Sequence, residues 1–143
     1  MQRNVEIPVF TEAIVLGLGD YVRLASLLIA PGSVMPPEVR SSFLKALDSA
    51  VIVEAERLPS HVVRIGSSLT VRDCATGDER RCVLVWSEQG EFPDRISVLT
   101  PLGSAMIGAA EQAVVSCKSS DGDVKRFKIL HVDNGGSALY GLP

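Results

Sequence analysis

The apolar positions in the first part of the chain repeat with the period of a helix. Those that follow Asp20 fall at i, i+3, i+4 and i+7, which predicts one buried helical face, and Asp20 is a suitable N-cap. Pro31-Gly32 ends this pattern, and a second helix is expected to begin at Pro36-Pro37. Two helices joined by a short Pro/Gly loop predict an antiparallel hairpin with arms of about 15 to 20 Å. The predicted buried positions are Tyr21, Leu24, Ala25 and Leu28 in the first helix and Val39, Phe43, Leu47 and Ala50 in the second.

From Val51 onward the pattern changes to the alternation of half-buried strands. Thr76-Gly77-Asp78 and the Asp-Gly turn at residues 120–123 each separate two such strands, which predicts two β-hairpins. The segment 102–108 is the one helical piece within this part. The sequence therefore predicts an α+β fold, with a helical hairpin followed by an antiparallel sheet of about five strands and one short helix. The predicted strands are residues 62–65, 69–74, 81–86, 96–99, 114–117 and 127–130.

These patterns divide the chain into three parts. Residues 1–58 form an N-terminal segment with the hairpin, residues 59–134 a sheet domain, and residues 135–143 a Gly-rich tail that is expected to be mobile. The apolar stretch 7–18 is open to three interpretations: a strand, a helical turn or a surface for self-association. We therefore expect a monomer or a weak dimer.

Composition and charge narrow the classes of function. Fourteen Lys and Arg stand against 17 Asp and Glu, for a net charge of −3, so direct binding of nucleic acid is disfavoured because it usually needs a basic excess on one face. The longest apolar run has seven residues, far below the ~18 of a membrane span, and the N-terminus lacks the pattern of an export signal. A cytoplasmic protein is expected. Cys74, Cys82 and Cys117 fit neither a disulfide framework nor a zinc site and are interpreted as packing residues.

Motifs for catalysis and for cofactors are weak. The sequence has no G-x-S-x-G, and His61 and His131 are far apart with no evident nucleophile beside them. Gly17-Leu18-Gly19 lacks the third glycine of a dinucleotide-binding turn, and Asp121 and Asp123 lack the further ligands of a calcium loop. We therefore expect no cofactor, no metal and no enzymatic activity.

The stretch "ISVLTPLGSAMIG" predicts a strand that turns into a short helix. Thr100 precedes a proline and is kept out of the α region, so the strand ends there, and Pro101 suits the first helical turn. Thr100 is a plausible N-cap. Gly103 and Gly108 permit close backbone approach and helix termination.

At this corner the sequence resembles the C-terminal domain of the bacterial transcript-cleavage factors GreA and GreB. The family has a strand ending in Ser-Pro followed by a short Ala-Leu-Leu-Gly helix, matched by "SVLTPLGSAMIG". The segments "VVRIGSSLTVRD", "TGDERRCVLV" and "DGDVKRFKILHV" resemble further parts of the domain in the same order, so that about residues 59–132 are covered. The Gly-Asp pair that usually follows the helix is replaced by Glu111-Gln112. Within this superfamily, "LPSHVV" after a short hairpin is similar to the Rnk family, regulators of nucleoside diphosphate kinase.

The resemblance implies an FKBP-like fold and a role as a transcription regulator that binds RNA polymerase. Gre factors insert a longer coiled coil into the secondary channel of the polymerase and deliver acidic residues to the catalytic magnesium. Here the predicted tip, residues 30–37, has no carboxylate before Glu38, so the resemblance implies docking at the channel rim without stimulated transcript cleavage. The contact residues carried over from the family are Thr100, Pro101, Gly103 and Ser104, with Glu91 and Asp94 nearby.

An FKBP-like sheet also raises an alternative, a prolyl isomerase or a peptide-binding chaperone module. A peptide pocket needs an aromatic lining, and only Trp86, Phe92 and Phe127 fall in the sheet half of the chain. Fold analogy alone is weak evidence for activity.

Overall fold

The computed structural model describes residues 14–30, 35–86, 93–118 and 121–134. Two helices come first, and a five-stranded sheet with one short helix follows, so the predicted α+β class is confirmed. The expected tail, residues 135–143, lies outside the described residues. In chain order the elements are β1 (Val15–Gly17), α1 (Leu18–Ile29), α2 (Pro37–Ser49), β2 (Val51–Val53), a 3₁₀ turn (Ala55–Arg57), β3 (Ser68–Asp73), β4 (Glu79–Val85), β5 (Arg95–Ser97), α3 (Pro101–Met106), β6 (Val114–Lys118) and β7 (Val124–Asp133).

Helices α1 and α2 form the predicted hairpin. At its base β1 and β2 pair in parallel, and towards its tip Arg40 Nη2 donates a hydrogen bond of 3.3 Å to the carbonyl oxygen of Leu28. The apolar faces expected from the helical period are buried: Leu24 and Leu28 on α1, and Val39 and Phe43 on α2. No helix within the described ranges has the length and apolar character needed to cross a bilayer.

The start of the hairpin differs from the prediction in two ways. The residue at the N-cap of α1 is Gly17, so the assignment of Asp20 as the cap was wrong. Asp20 lies within the first turn, and its carboxylate accepts a hydrogen bond of 3.3 Å from the backbone N–H of Ile65. Of the three interpretations of residues 7–18, the strand applies to Val15–Gly17, whereas residues 7–13 lie outside the described part.

The five-stranded sheet has the order β5-β4-β3-β7-β6. Both predicted hairpins, β3 with β4 and β6 with β7, are present and antiparallel. The sheet is not wholly antiparallel as predicted, since β5 pairs in parallel with β4. Parallel neighbours cannot be joined by a two-residue hairpin, and nine residues of sequence separate the end of β4 from the start of β5.

The predicted strand at residues 62–65 is wrong, because only Val62 makes a bridge, to Ala110. Val63 exchanges backbone hydrogen bonds with Gly108 and Ala109, and side chains bind other backbone groups of the segment. Asn134 Nδ2 donates to the carbonyl oxygens of Ser60 and Val62 at 2.8 Å each, and Ser67 Oγ accepts from the N–H of Arg64. The buried backbone of this segment is thus satisfied without a ladder.

One continuous apolar core joins the hairpin to the sheet. Leu24 and Phe43 from the hairpin belong to the same cluster as Leu84, Met106 and Ile129, all fully buried. Helix α3 packs against α2 and β6, so it lies on the inner, core-facing side of the sheet. Cys82 is buried and Cys117 partly buried, as expected for packing residues, but Cys74 is exposed; all three are described, and they form no disulfide.

Candidate docking site

The strand-to-helix corner after β5 is held by hydrogen bonds of the main chain and of side-chain hydroxyl groups to the main chain. Thr100 caps α3: its Oγ1 accepts a hydrogen bond from the N–H of Gly103 at 3.2 Å and donates one to the carbonyl oxygen of Ser97 at 2.7 Å. Pro101 occupies the first helical turn, and Ser104 N–H donates to the carbonyl oxygen of Thr100 at 2.8 Å. The predicted N-cap is therefore confirmed, and the corner is fixed by residues that lie within eight positions of one another.

Gly103 has a structural role that the sequence pattern only partly indicated. A β-carbon at this position would lie 2.7 Å from the carbonyl carbon of Ser97 and 3.0 Å from the α-carbon of Val98, so a side chain cannot be accommodated. Glycine at position 103 therefore lets the helix approach the preceding strand more closely than a residue with a side chain would permit.

The expectation that Gly103 and Ser104 contact a partner is corrected by their burial. Gly103 is buried against Ser97, and Ser104 is 2% exposed, with its hydroxyl donating to the carbonyl oxygen of Pro101 at 3.0 Å. Thr100 and Pro101 are partly exposed and form the accessible surface of the corner. In this conformation the two buried residues shape that surface from beneath.

Of the two acidic residues expected beside the corner, the described one, Asp94, does not line the same groove as Pro101. Asp94 has an exposed side chain, 3.6 Å from Arg95 Nε, and lines a depression on the outer side of the sheet, the side away from α3. Pro101 lines a groove on the inner side. Glu91 lies outside the described residues.

An apolar groove of about 370 Å³ lies between α3 and the inner side of the sheet. Pro101 and Leu102 form one wall, and Phe127 is the aromatic residue of its lining. Of the other two aromatic residues considered, Trp86 lies elsewhere, beneath the Arg23 guanidinium at 4.7 Å, and Phe92 lies outside the described residues. The remaining residues that line the groove are Val71, Asp73, Asp78, Arg80, Cys117 and Lys125.

The turn after α3 accommodates the departure from the family pattern. Gln112 has φ 77°, a left-handed conformation that glycine usually occupies, and its side-chain amide donates to the carbonyl oxygen of Leu130 at 2.9 Å. Glu111 Oε1 accepts from the N–H of Val132 at 2.9 Å and lies 3.4 Å from His131 Nδ1. The pair therefore attaches this turn to β7 through side chains.

The hairpin is attached to the sheet domain by contacts that sequence reasoning missed. Asp20 accepts from the Ile65 N–H, and Arg23 stacks on Trp86. Burial raises the pKa of the Asp20 carboxyl, an effect that the hydrogen bond from Ile65 and the charges of Arg23 and Arg64 partly offset. These partners are 45 or more positions apart, and no local motif marks them.

The end of the hairpin carries no candidate chemistry that we can identify. Ala30, Met35, Pro36 and Pro37 are its described residues, and the four between them are Pro-Gly-Ser-Val in the sequence, so no carboxylate precedes Glu38. Within the described ranges no group of three or more His, Cys, Asp or Glu side chains is placed to hold a metal ion.

Comparison with known proteins places the sheet domain among factors that act on transcription. Residues 58–134 match the family model described as "Transcription elongation factor, GreA/GreB, C-term". The chain is 32% identical over 93 residues to transcription elongation factor GreA of Syntrophomonas wolfei, covering 64% of this chain and 58% of that protein. It is 33% identical over 84 residues to GreA of Clostridioides difficile, covering 58% and 52%. The chain thus spans little more than half the length of these curated relatives.

A solved structure extends this likeness beyond the matched domain. A prokaryotic transcription elongation factor GreA/GreB from Nitrosomonas europaea superposes with a TM-score of 0.65 at 28% identity, over 85% of this chain and 98% of that one. The aligned region is larger than the family match, so the likeness includes part of the hairpin as well as the sheet.

Proposed function

The chain belongs to the GreA/GreB C-terminal family of transcription elongation factors, and on this premise we propose that it is a regulator that binds RNA polymerase at the rim of the secondary channel without stimulating transcript cleavage. The observation that carries the proposal is the corner at Thr100 and Pro101. By the resemblance in sequence this corner would correspond to the family's docking element, and it presents a proline-fixed surface that loses little conformational entropy on binding.

Two features of the hairpin support docking without cleavage. Helices α1 and α2 have 12 and 13 residues, so each arm is about 18 to 20 Å long. The tip offers no carboxylate before Glu38 with which to bind a second magnesium ion in the polymerase active site. A Gre-like mechanism of cleavage needs a hairpin long enough to enter the active site and acidic residues at its tip. This hairpin has short arms and no acidic residue among residues 30–37.

These features fit an Rnk-like regulator better than a full cleavage factor. Such a protein is not itself an enzyme, and its partner would place it in the cytoplasm. It would act by occupying the secondary channel or by competing with cleavage factors for the same rim.

The proposal is tested by competition for core RNA polymerase. We expect saturable binding that GreA displaces, and no increase in RNA cleavage when the protein is added to a backtracked elongation complex. In the same complex, an excess of the protein should reduce the cleavage that GreA stimulates. Binding that GreA does not displace, or cleavage stimulated by the protein alone, would contradict the proposal.

The role of the corner is tested by placing a charge on its accessible surface. Pro101→Glu should weaken polymerase binding by at least tenfold, since it desolvates a carboxylate at the contact. Val51→Glu is the matched control, because Val51 is 57% exposed on β2, away from the corner, and should leave affinity within about twofold. Equal affinities for the two variants would remove the corner from the docking surface. A charge at the buried Gly103 would disrupt the fold and would not test docking.

The groove beside α3 favours a second candidate, a peptide-binding module with an FKBP-like arrangement. Its volume lies in the range of ligand sites, and Phe127 supplies an aromatic wall. A proline-isomerisation rate above the uncatalysed one, lost in Phe127→Ala, would support this alternative. A rate equal to the uncatalysed one would exclude the isomerase.

A further inference from the structure

One end of the outer sheet face carries a concentration of positive charge. Because side chains alternate along each strand, five cations that are distant in sequence project from the same side of β3, β4, β6 and β7. We call these residues the cationic face. They are Arg72, Arg81, Lys118, Arg126 and Lys128, five of the fourteen Lys and Arg of the chain.

Few acidic groups neutralise this face. Arg72 forms an ion pair of 2.9 Å with Glu79, the carboxylate that the strands contribute at this end. The other four cations have no side-chain ion pair or hydrogen bond among the described residues, although Arg81 lines a depression further along the outer side whose lining also includes Asp94 and Asp133. Asp78, Asp121 and Asp123 lie in the two hairpin turns that adjoin this end of the strands.

The sheet register places like charges against one another. Arg72 on β3 and Lys128 on β7 are direct cross-strand partners. Arg126 lies two positions before Lys128 and on the same face of β7. Side chains that are directly opposite lie about 5 Å apart, and like charges there destabilise a sheet. The fold therefore retains a repulsive arrangement, which an anionic partner would relieve.

We propose that the cationic face binds the sugar-phosphate backbone of double-stranded nucleic acid without reading its sequence. The net charge of −3 disfavours nucleic-acid binding only when the whole chain is considered. The fold separates the charges and produces the localised basic excess that such binding requires.

The chemistry of the face favours phosphates over an acidic protein. Protein interfaces are depleted in Lys and depend on buried aromatic and Arg anchors, whereas phosphate contacts come from Lys, Arg and hydroxyl side chains. Thr70 and Ser116 lie opposite Arg81 and Arg126 and can supply such hydroxyls. Among the described strand residues on this side none is Phe, Tyr or Trp and the one imidazole, His131, lies beside Glu111, so the series of aromatic side chains that holds single strands is missing and a duplex backbone is the better ligand.

The test measures binding of the full chain to a fluorescent DNA duplex over a range of salt concentrations, without polymerase, so its outcome is independent of the docking proposal. We expect binding at low salt that weakens steeply as salt increases. The double variant Arg126→Gln/Lys128→Gln should bind about tenfold more weakly and reduce the slope of log K against log salt by about 2.

The matched control is Lys45→Gln/Arg57→Gln, which removes the same charge from exposed positions on α2 and the 3₁₀ turn. It should bind within about twofold of the unmodified protein. Lys128→Gln alone should also raise the thermal midpoint of unfolding, since it removes the repulsion with Arg72. A cooperative transition in this measurement also shows that the variant is folded.

Four results would overturn the proposal. The first is an equal loss of affinity in the two double variants, which would attribute binding to net charge. The second is tighter binding of a single strand than of the duplex, and the third is no binding to either at low salt. The fourth is competition by polyglutamate as strong as that by unlabelled duplex, which would indicate an acidic protein as the ligand.

Discussion

The corner at α3 and the helical hairpin are both fixed to the sheet, but by different means. The corner depends on backbone approach and on caps between residues 97 and 104, with no charged side chain involved. The hairpin depends on an apolar core and on two charged residues, Asp20 and Arg23, that reach across to Ile65 and Trp86. The proposed docking surface is therefore rigid for local reasons, whereas the position of the hairpin depends on contacts with the rest of the chain.

The strongest test of this difference is Gly103→Ala. The new β-carbon would overlap the Ser97 carbonyl, whose position is fixed in β5, so we expect a loss of about 2 to 3 kcal/mol in the free energy of unfolding. Gly19→Ala is the control, because a β-carbon there meets nothing within 4 Å and should stabilise α1 by about 0.5 to 1 kcal/mol. Urea unfolding measures both. Similar values for the two variants would show that the corner can relax.

A smaller effect is expected from the cap of α3. Thr100→Val removes the oxygen that accepts from the Gly103 N–H and should lower the free energy of unfolding by about 1 kcal/mol. Thr100→Ser retains the oxygen and should remain within a few tenths of a kcal/mol of the original. If Thr100→Ser destabilises as much as Thr100→Val, the methyl group rather than the cap matters.

The smallest effect concerns the pH dependence of the hairpin attachment. Burial raises the pKa of Asp20, so the folded state binds its proton more tightly than the unfolded state, and stability declines as pH rises from about 4 through the raised value. Asp20→Asn keeps an oxygen to accept from Ile65 but cannot ionise. Its stability relative to the original protein should therefore increase between pH 4 and pH 7 in urea unfolding. A difference that is constant with pH, or that falls, would contradict this account.

Sequence reasoning succeeded where structure depends on local rules. The helical faces around Leu24 and Phe43, the two turns at Gly77 and Gly122, and the cap at Thr100 follow from period, turn chemistry and capping, and all are present. The prediction that β5 is antiparallel failed because the alternation of apolar and polar residues identifies a strand but carries no signal for its direction.

The candidate site was predicted less completely than the fold. The pattern located the corner but could not show that Gly103 and Ser104 are buried, since burial depends on how closely α3 approaches Ser97. The grouping of Arg72, Arg126 and Lys128 depends on the register of β3 with β7, which composition and net charge do not reveal.

The parallel pairing of Val15–Gly17 with Val51–Val53 has a consequence for how such proteins can diversify. The two strands bring the start and the end of the hairpin side by side, so both helical arms extend from one common base. Insertion of the same number of helical turns into both arms would lengthen the hairpin and leave this base unchanged. The length of the hairpin is therefore independent of its attachment to the sheet, and it can be engineered by grafting arms of chosen length onto the same base.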